Sequence, residues 1–302
     1  MKPLLPDGVE LKGLLNKLRP LCWGAADILM AYARNEQPPY GFSKVLNVED
    51  KDEGPVSAAD LAVNSWLMNG LSSSFVDVDW HVLSEETAKQ QEVKKTSLES
   101  EWLWIIDPLD GTKDFLEGLG EYAVHLALVK NQRPLLGVIL IPELEELWIG
   151  IVGNRAWCEN RTGTKTSARF SNRKELNEMI LVSSRSHRNS ILENLIKKID
   201  IGSEKSIGSI GCKIGTILRG ESDIYLSLSG ESAPKDWDMA GPEAVLIAAG
   251  GSFTHADKRK LIYNNGDFLQ RGCLIASHGK NHSLLCQEVV NELSILDPKF
   301  SV

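Results

Sequence analysis

The chain has no apolar run long enough to span a bilayer, no paired cysteines, and no stretch of Lys and Arg dense enough to make a basic patch. Its strongest apolar run, Leu135 to Pro142, falls far short of the roughly 20 residues a membrane helix needs. The five cysteines, Cys22, Cys158, Cys212, Cys273 and Cys286, are odd in number, scattered and without CxxC spacing. They read as reduced thiols rather than a disulfide framework. With a net charge of −8 and no basic run, a nucleic-acid polymer and a membrane surface are poor partners. The opening MKPLLPDGVELKGLL has neither a long apolar core nor a small-residue cleavage site, so the expected location is cytoplasmic. A small anionic partner stays compatible with an acidic chain where bound cations neutralise the site.

What is present is ordinary globular material: 302 residues, 42% of them hydrophobic, enough to bury a substantial core. Single cores stop growing near roughly 250–300 residues, so two domains are expected, an α+β unit over 1–166 and an α/β unit over 167–302. Leu11, Leu14, Leu15, Leu18, Leu21, Ile28 and Leu29 keep mostly helical spacing until the Pro-containing stretch from Asn35 to Tyr40. A second helix is expected after Ser57, where Asp60 three residues on completes a variant capping box. Trp80–Leu83, Trp102–Ile106, Tyr122–Val129, Leu135–Ile141 and Leu147–Val152 read as strands of an antiparallel or mixed sheet. Beyond residue 166, strands at Met179–Ser183 and Ile224–Leu228 alternate with helices over 188–198, 212–219 and 239–249. There is no internal repeat.

The densest chemistry lies in WIIDPLDGTKDF, residues 104–115. An apolar strand runs into Asp107 and Asp110, two carboxylates that can converge on one hard cation. Pro108 holds the turn, and the Leu109 carbonyl offers a further oxygen. Gly111 and Thr112 open a helical turn whose free N–H groups favour a phosphate. The alternative is an ordinary Asx turn. Glu85 and Glu86 follow a short apolar strand, and Asp238 sits between Trp237 and Met239 at the mouth of an Ala-rich helix, where a buried charge needs a partner such as a divalent cation.

Taken in order, LSEET, DPLDGTKDF and WDMAGPEAVLIAAGG resemble the signature of the inositol monophosphatase superfamily of lithium-sensitive phosphatases, over residues 55–251. The resemblance implies a layered α-β-α-β-α sugar-phosphatase fold, two or three Mg2+ ions held by Glu85, Asp107, the Leu109 carbonyl, Asp110 and Asp238, and hydrolysis by water without a covalent intermediate. Thr112, held by Asp60 of PVSAAD, would orient that water. Asp60 alone could equally be a first-turn acid serving the helix dipole. Glu86 has no role in the pattern and is expected at the rim, hydrogen-bonded or solvated. A homodimer is compatible with the resemblance.

The substrate must be argued from other residues. Three segments resemble the 3′(2′),5′-bisphosphate nucleotidase branch: Lys113 after DGT, Ser184-Arg185-Ser186-His187, and Ser206 to Lys213 with its SIGS-x-x-K pattern. They imply that Gly111, Thr112, Lys113, Ser186, His187, Ser209 and Lys213 contact a small phosphorylated metabolite, with adenosine 3′,5′-bisphosphate the leading substrate. An SRSH loop can also merely cap a helix, and Lys213 can be a solvated helix residue. Ser227 stands where the branch often has Arg, and Lys235 is the nearest candidate to replace it. An inositol or sugar phosphatase and a silent metabolite-binding relative are the competing readings.

Overall fold

The periodic leucines wind into α1, Leu11–Ala33, with Leu14, Leu18, Ile28 and Leu29 fully buried. Each such burial contributes about 2 kcal/mol. The helix stops where Asn35 turns left-handed (φ 55°), returning its N–H to Tyr32 and that of Glu36 to the Ala31 carbonyl at 2.8 Å, a Schellman closure. The computed structural model describes residues 5–51, 54–90, 98–186, 188–229 and 233–297.

A hairpin, β1 (Val48–Lys51) with β2 (Gly54–Ser57), delivers Ser57 as the N-cap of α2 (Ala58–Ser74). There follow β3 (His81–Ser84), α3 (Glu85–Gln90), β4 (Trp102–Asp110), α4 (Thr112–Leu116), β5 (Ala123–Lys130), β6 (Arg133–Ile141), β7 (Glu146–Ile151), β8 (Arg155–Glu159) and β9 (Lys165–Thr166). Strands β3 to β9 form one mixed sheet in sequential order, parallel only between β3 and β4. Because side chains alternate along a strand, the sheet has two apolar faces. Trp104, Ile106, Val124, Leu126 and Val138 meet α1 and α2, while Leu103, Ile105, Ala127, Ile139 and Trp148 face the other way.

The second half comprises β10 (Ile180–Ser184), α5 (Ser190–Lys198), β11 (Ser203–Ile207), α6 (Ile210–Leu218), β12 (Ile224–Ser229), α7 (Asp236–Ala248), β13 (Ser252–His255), β14 (Gly272–Ser277) and α8 (His282–Leu296). Its five strands run in the order β11-β10-β12-β14-β13, with β10 parallel to both β11 and β12. Helices α6 and α7 lie between the two sheets, sharing a core with Ile105 and Ile139 on one side and Tyr225 and Phe253 on the other. Helices α5 and α8 cover the outer face. The result is an α-β-α-β-α stack.

Helix α7 begins at Asp236, earlier than its apolar pattern shows, because the Asp238 carboxylate accepts from the Lys235 N–H at 2.7 Å. Strand β11 reads SEKSI, too polar to announce itself, and forms the sheet edge beside β10. All five cysteines are buried free thiols, and burial pushes Cys22, Cys158 and Cys212 up to about 12. Among the described residues no helix is long and apolar enough to cross a membrane.

Candidate active site

Strand β4 pairs regularly with β5 from Trp102 to Asp107, then slips before Asp110 meets Ala123. The slip falls at Pro108, which has no N–H to give the ladder. Leu109 N–H turns back to Asp107 Oδ1 at 3.0 Å. Gly111 takes φ 89°, and a Cβ there would sit 2.8 Å from the Glu121 carbonyl, so the turn needs glycine on both counts. Thr112 then opens α4, its hydroxyl 3.0 Å from Asp60 Oδ1 and 3.1 Å from the Leu109 carbonyl. One proton serves two acceptors, so which of them Thr112 addresses depends on the ionisation of Asp60.

Asp60 is buried at the third position of α2, where its Oδ2 accepts from the Ser57 N–H at 2.8 Å and hydroxyl at 2.6 Å, closing the capping box. Burial raises its pKa to about 6; the bonds from Ser57 and Thr112 hold it from rising further, and Glu85 pushes it up. Burial, followed by the charges of Glu85, Asp110 and Asp238, holds Asp107 well above the usual carboxylate range. The same burial, with Glu85 and Asp110, pushes Asp238 up to about 8. Glu85, Asp107, Asp110 and Asp238, carried by α3, β4 and α7, therefore act on one another as a single field of negative charge.

A cation already stands at its edge. Lys89 Nζ lies 2.7 Å from Glu85 and 3.6 Å from Glu86, within reach of the Asp107 field. Glu86, expected at the rim, is fully buried, because α3 turns it under Lys89.

The opposite wall comes from the second half. Asp110 Oδ2 accepts from the Ser209 hydroxyl at 2.6 Å and the Gly211 N–H at 3.0 Å, while Ser209 caps α6 by accepting from Cys212 N–H. Lys213 lies beneath this turn, 1% exposed, donating to the Gly208 carbonyl at 2.5 Å with the Tyr225 ring below it. Burial pushes it down to about 8, though Asp110 pulls the other way. Gly208 abuts Asp114: a Cβ there would lie 1.5 Å from its carboxylate. Arg185 closes the seam, donating to Asp114 and, at 2.6 Å, to Glu121, whose carboxylate also accepts from Gly208 N–H. Lys113 and Ser186 are exposed, and His187 lies outside the described residues.

Thus Asp60, Thr112 and the Leu109 carbonyl form one hydrogen-bonded group and Asp110 with Ser209 another, adjacent along the chain, with Glu85, Asp107 and Asp238 coupled to them by charge. Sequence reading passed over Lys89, His125 and Glu121, and named Arg185 only as part of the SRSH segment. Of these only His125 carried a signal, a polar residue inside the otherwise apolar run AVHLALV.

The sequence profile of the Inositol monophosphatase family matches residues 11–294. The chain belongs to that family. Family relatives include the 3′(2′),5′-bisphosphate nucleotidase CysQ of Buchnera aphidicola, 34% identical over 70% of this chain and 76% of the relative, and that of Escherichia coli K12, 31% identical over 78% and 88%. The fold agrees with solved members: Thermotoga maritima IMPase superposes with a TM-score of 0.72 at 21% identity over 95% of this chain and all of the other. An IMPase/NADP phosphatase complexed with Mg2+ and phosphate gives 0.69 at 18% identity, over 92% and 93%. The donors found here are all oxygen, which suits a hard cation such as the Mg2+ implied by family membership. Among the described residues no three of them enclose an ion as they stand. The Lys89 ammonium against Glu85 shows the sign of charge the field accepts.

Proposed function

We propose that this protein is a Mg2+-dependent phosphate monoester hydrolase acting on 3′(2′),5′-bisphosphate nucleotides, converting adenosine 3′,5′-bisphosphate to AMP and phosphate. The observation that carries the reaction class is the Thr112–Asp60 hydrogen bond set beside the four-carboxylate field. The substrate class is supported by the CysQ relatives and by the SRSH and SIGS-x-x-K segments, which meet at the Arg185–Glu121–Gly208 seam.

Glu85, Asp107, Asp110, Asp238 and the Leu109 carbonyl hold the ions, and Gly111, Thr112 and Lys113 lie on the phosphate side. When bound, Mg2+ supplies the positive charge that makes water more acidic and offsets the charge of the phosphate. Thr112 orients the attacking water with its hydroxyl oxygen while giving its own proton to Asp60. Asp60, with a pKa near 6, is ionised at neutral pH and able to receive a proton through Thr112. Water adds to phosphorus as it gives a proton toward Asp60 through Thr112, the P–O bond to the sugar breaks, and the sugar oxygen takes its proton from solvent water. Residues 1–166 supply most of the ion-holding groups. Residues 167–302 supply Asp238 and the second-phosphate side, where Ser209 and Lys213 shape the Gly208 turn and Ser186 belongs to the facing loop.

The test is phosphate release by the purified protein with Mg2+, comparing adenosine 3′,5′-bisphosphate with inositol 1-phosphate at equal concentration. A preference for the nucleotide of at least about tenfold in kcat/KM supports the reading. A preference for the inositol ester overturns the substrate class and leaves the metal chemistry standing.

A further inference from the structure

His125 stands at the third position of β5 as the register partner of Asp107, the last regular pair before the β4 bulge. It shares its face of the sheet with Ala123 and Ala127, under α6 and α7, and is 0% exposed. Neither ring nitrogen attains hydrogen-bonding geometry. Nδ1 lies 3.9 Å from Asp107 Oδ2 and Nε2 lies 3.4 Å from Asp110 Oδ2, with the Trp237 carbonyl bearing on the ring as well.

Helix α6 is cut away to admit this ring: a Cβ at Gly211 would sit 2.3 Å from Nε2, while Gly241 of α7 lets that helix lie close on the Val138 and Leu126 carbonyls beside it. A space so shaped could hold an aliphatic side chain without the cost of burying two polar nitrogens. The polar edge therefore has a use, and the groups along that edge are two proposed ion ligands. A carboxylate that gives one oxygen to a cation needs the other oxygen held, and such outer partners set metal affinity. Leu109 N–H holds Asp107 Oδ1, and Ser209 and Gly211 hold Asp110 Oδ2; the imidazole lies against both carboxylates across the bulge, nearer to Asp110.

We infer that His125 is a positioning residue that turns its single N–H toward Asp110, the nearer carboxylate, and so holds that ligand in place for the cation. This rests on the metal reading above and is independent of the substrate assigned.

The test uses the full-length protein with His125→Leu, which fills the space without a donor, and His125→Asn and His125→Gln, whose amide nitrogens stand near the positions of Nδ1 and Nε2. Mg2+ affinity is measured without substrate, by calorimetry and by the Mg2+-induced rise in Tm, alongside the Tm of metal-free protein. His125→Leu is expected to bind Mg2+ about 10–100-fold more weakly, with kcat largely recovered at excess Mg2+. At least one amide variant is expected within about threefold of wild type. A folded His125→Leu that binds Mg2+ like wild type overturns the inference. Where His125→Leu does not fold, the amide variants decide: weak binding by both, at unchanged metal-free Tm, overturns it, and rescue by either supports it. A wild type that binds no Mg2+ removes the metal reading and this inference together, whereas loss of the nucleotide preference alone leaves both in place.

Discussion

The Lys89 ammonium lies 2.7 Å from the Glu85 carboxylate, across one turn of α3, in a place where a divalent cation would compete for the same oxygen. Replacing Lys89 by Met should cost the metal-free protein about 1–3 kcal/mol, since Glu85 and the buried Glu86 lose a charged partner. Mg2+ should bind no more weakly, and up to several-fold more tightly, because nothing has to be displaced. Calorimetry and melting with and without Mg2+ check this; a variant with much weaker Mg2+ binding would mean that Lys89 supports the ion site rather than competing with it.

The carboxylate field makes stability depend on pH in a direction opposite to that of ordinary salt-bridged acids. Asp60 at about 6, Asp238 at about 8 and Asp107 well above the usual range all exceed their unfolded values near 4. The folded state therefore binds the extra protons, and the stability they bring is lost as pH rises through the folded values. Between about pH 4 and pH 8 the metal-free protein should lose up to about 1.4 kcal/mol per pH unit for each such proton, Asp60 contributing up to about pH 6 and Asp238 up to about pH 8. Saturating Mg2+ should flatten the profile by taking the place of the protons. A metal-free Tm that does not fall over this range refutes the coupling.

Asp60 both caps α2 and receives the Thr112 proton. Asp60→Asn should lower kcat by about 100-fold or more at saturating Mg2+, with only about 1 kcal/mol lost from the helix cap. Thr112→Ser, which keeps the hydroxyl, should stay within about tenfold of wild type. Near-normal turnover by Asp60→Asn would remove it from the reaction.

Gly208→Ala places a methyl on the Asp114 carboxylate and forces either the turn or the Arg185 clasp to move. Overpacking of this kind costs about 1–3 kcal/mol. On the bisphosphate reading, KM for the nucleotide should rise several-fold with a smaller change in kcat. Steady-state kinetics on the two esters used above separate this from a general loss of fold, which would lower turnover on both.

Features carried by neighbouring residues were legible in the sequence. DPLDGT announces two carboxylates after an apolar strand because strand, bulge and turn are local, and Ser57 with Asp60 announces a helix start for the same reason. Lys213 shows the limit. It is not the solvated helix residue that composition allowed but lies under the Gly208 turn, because α6 is wedged between two sheets and every one of its residues is buried. Lys89, Arg185 and His125 acquire their meaning from register and packing, and β11 is a strand through its pairing with β10 rather than its composition.

The position of α6 and α7 between the sheets also shapes how the protein is made. The larger sheet is complete at residue 166, but the face bearing Ile105, Ile139 and Trp148 has no cover until residues 210–248 have been synthesised. At about 5–20 residues per second, a nascent chain carries that bare apolar face for several seconds. Those seconds are its period of greatest exposure to aggregation, and the stage at which a chaperone would have most to shield.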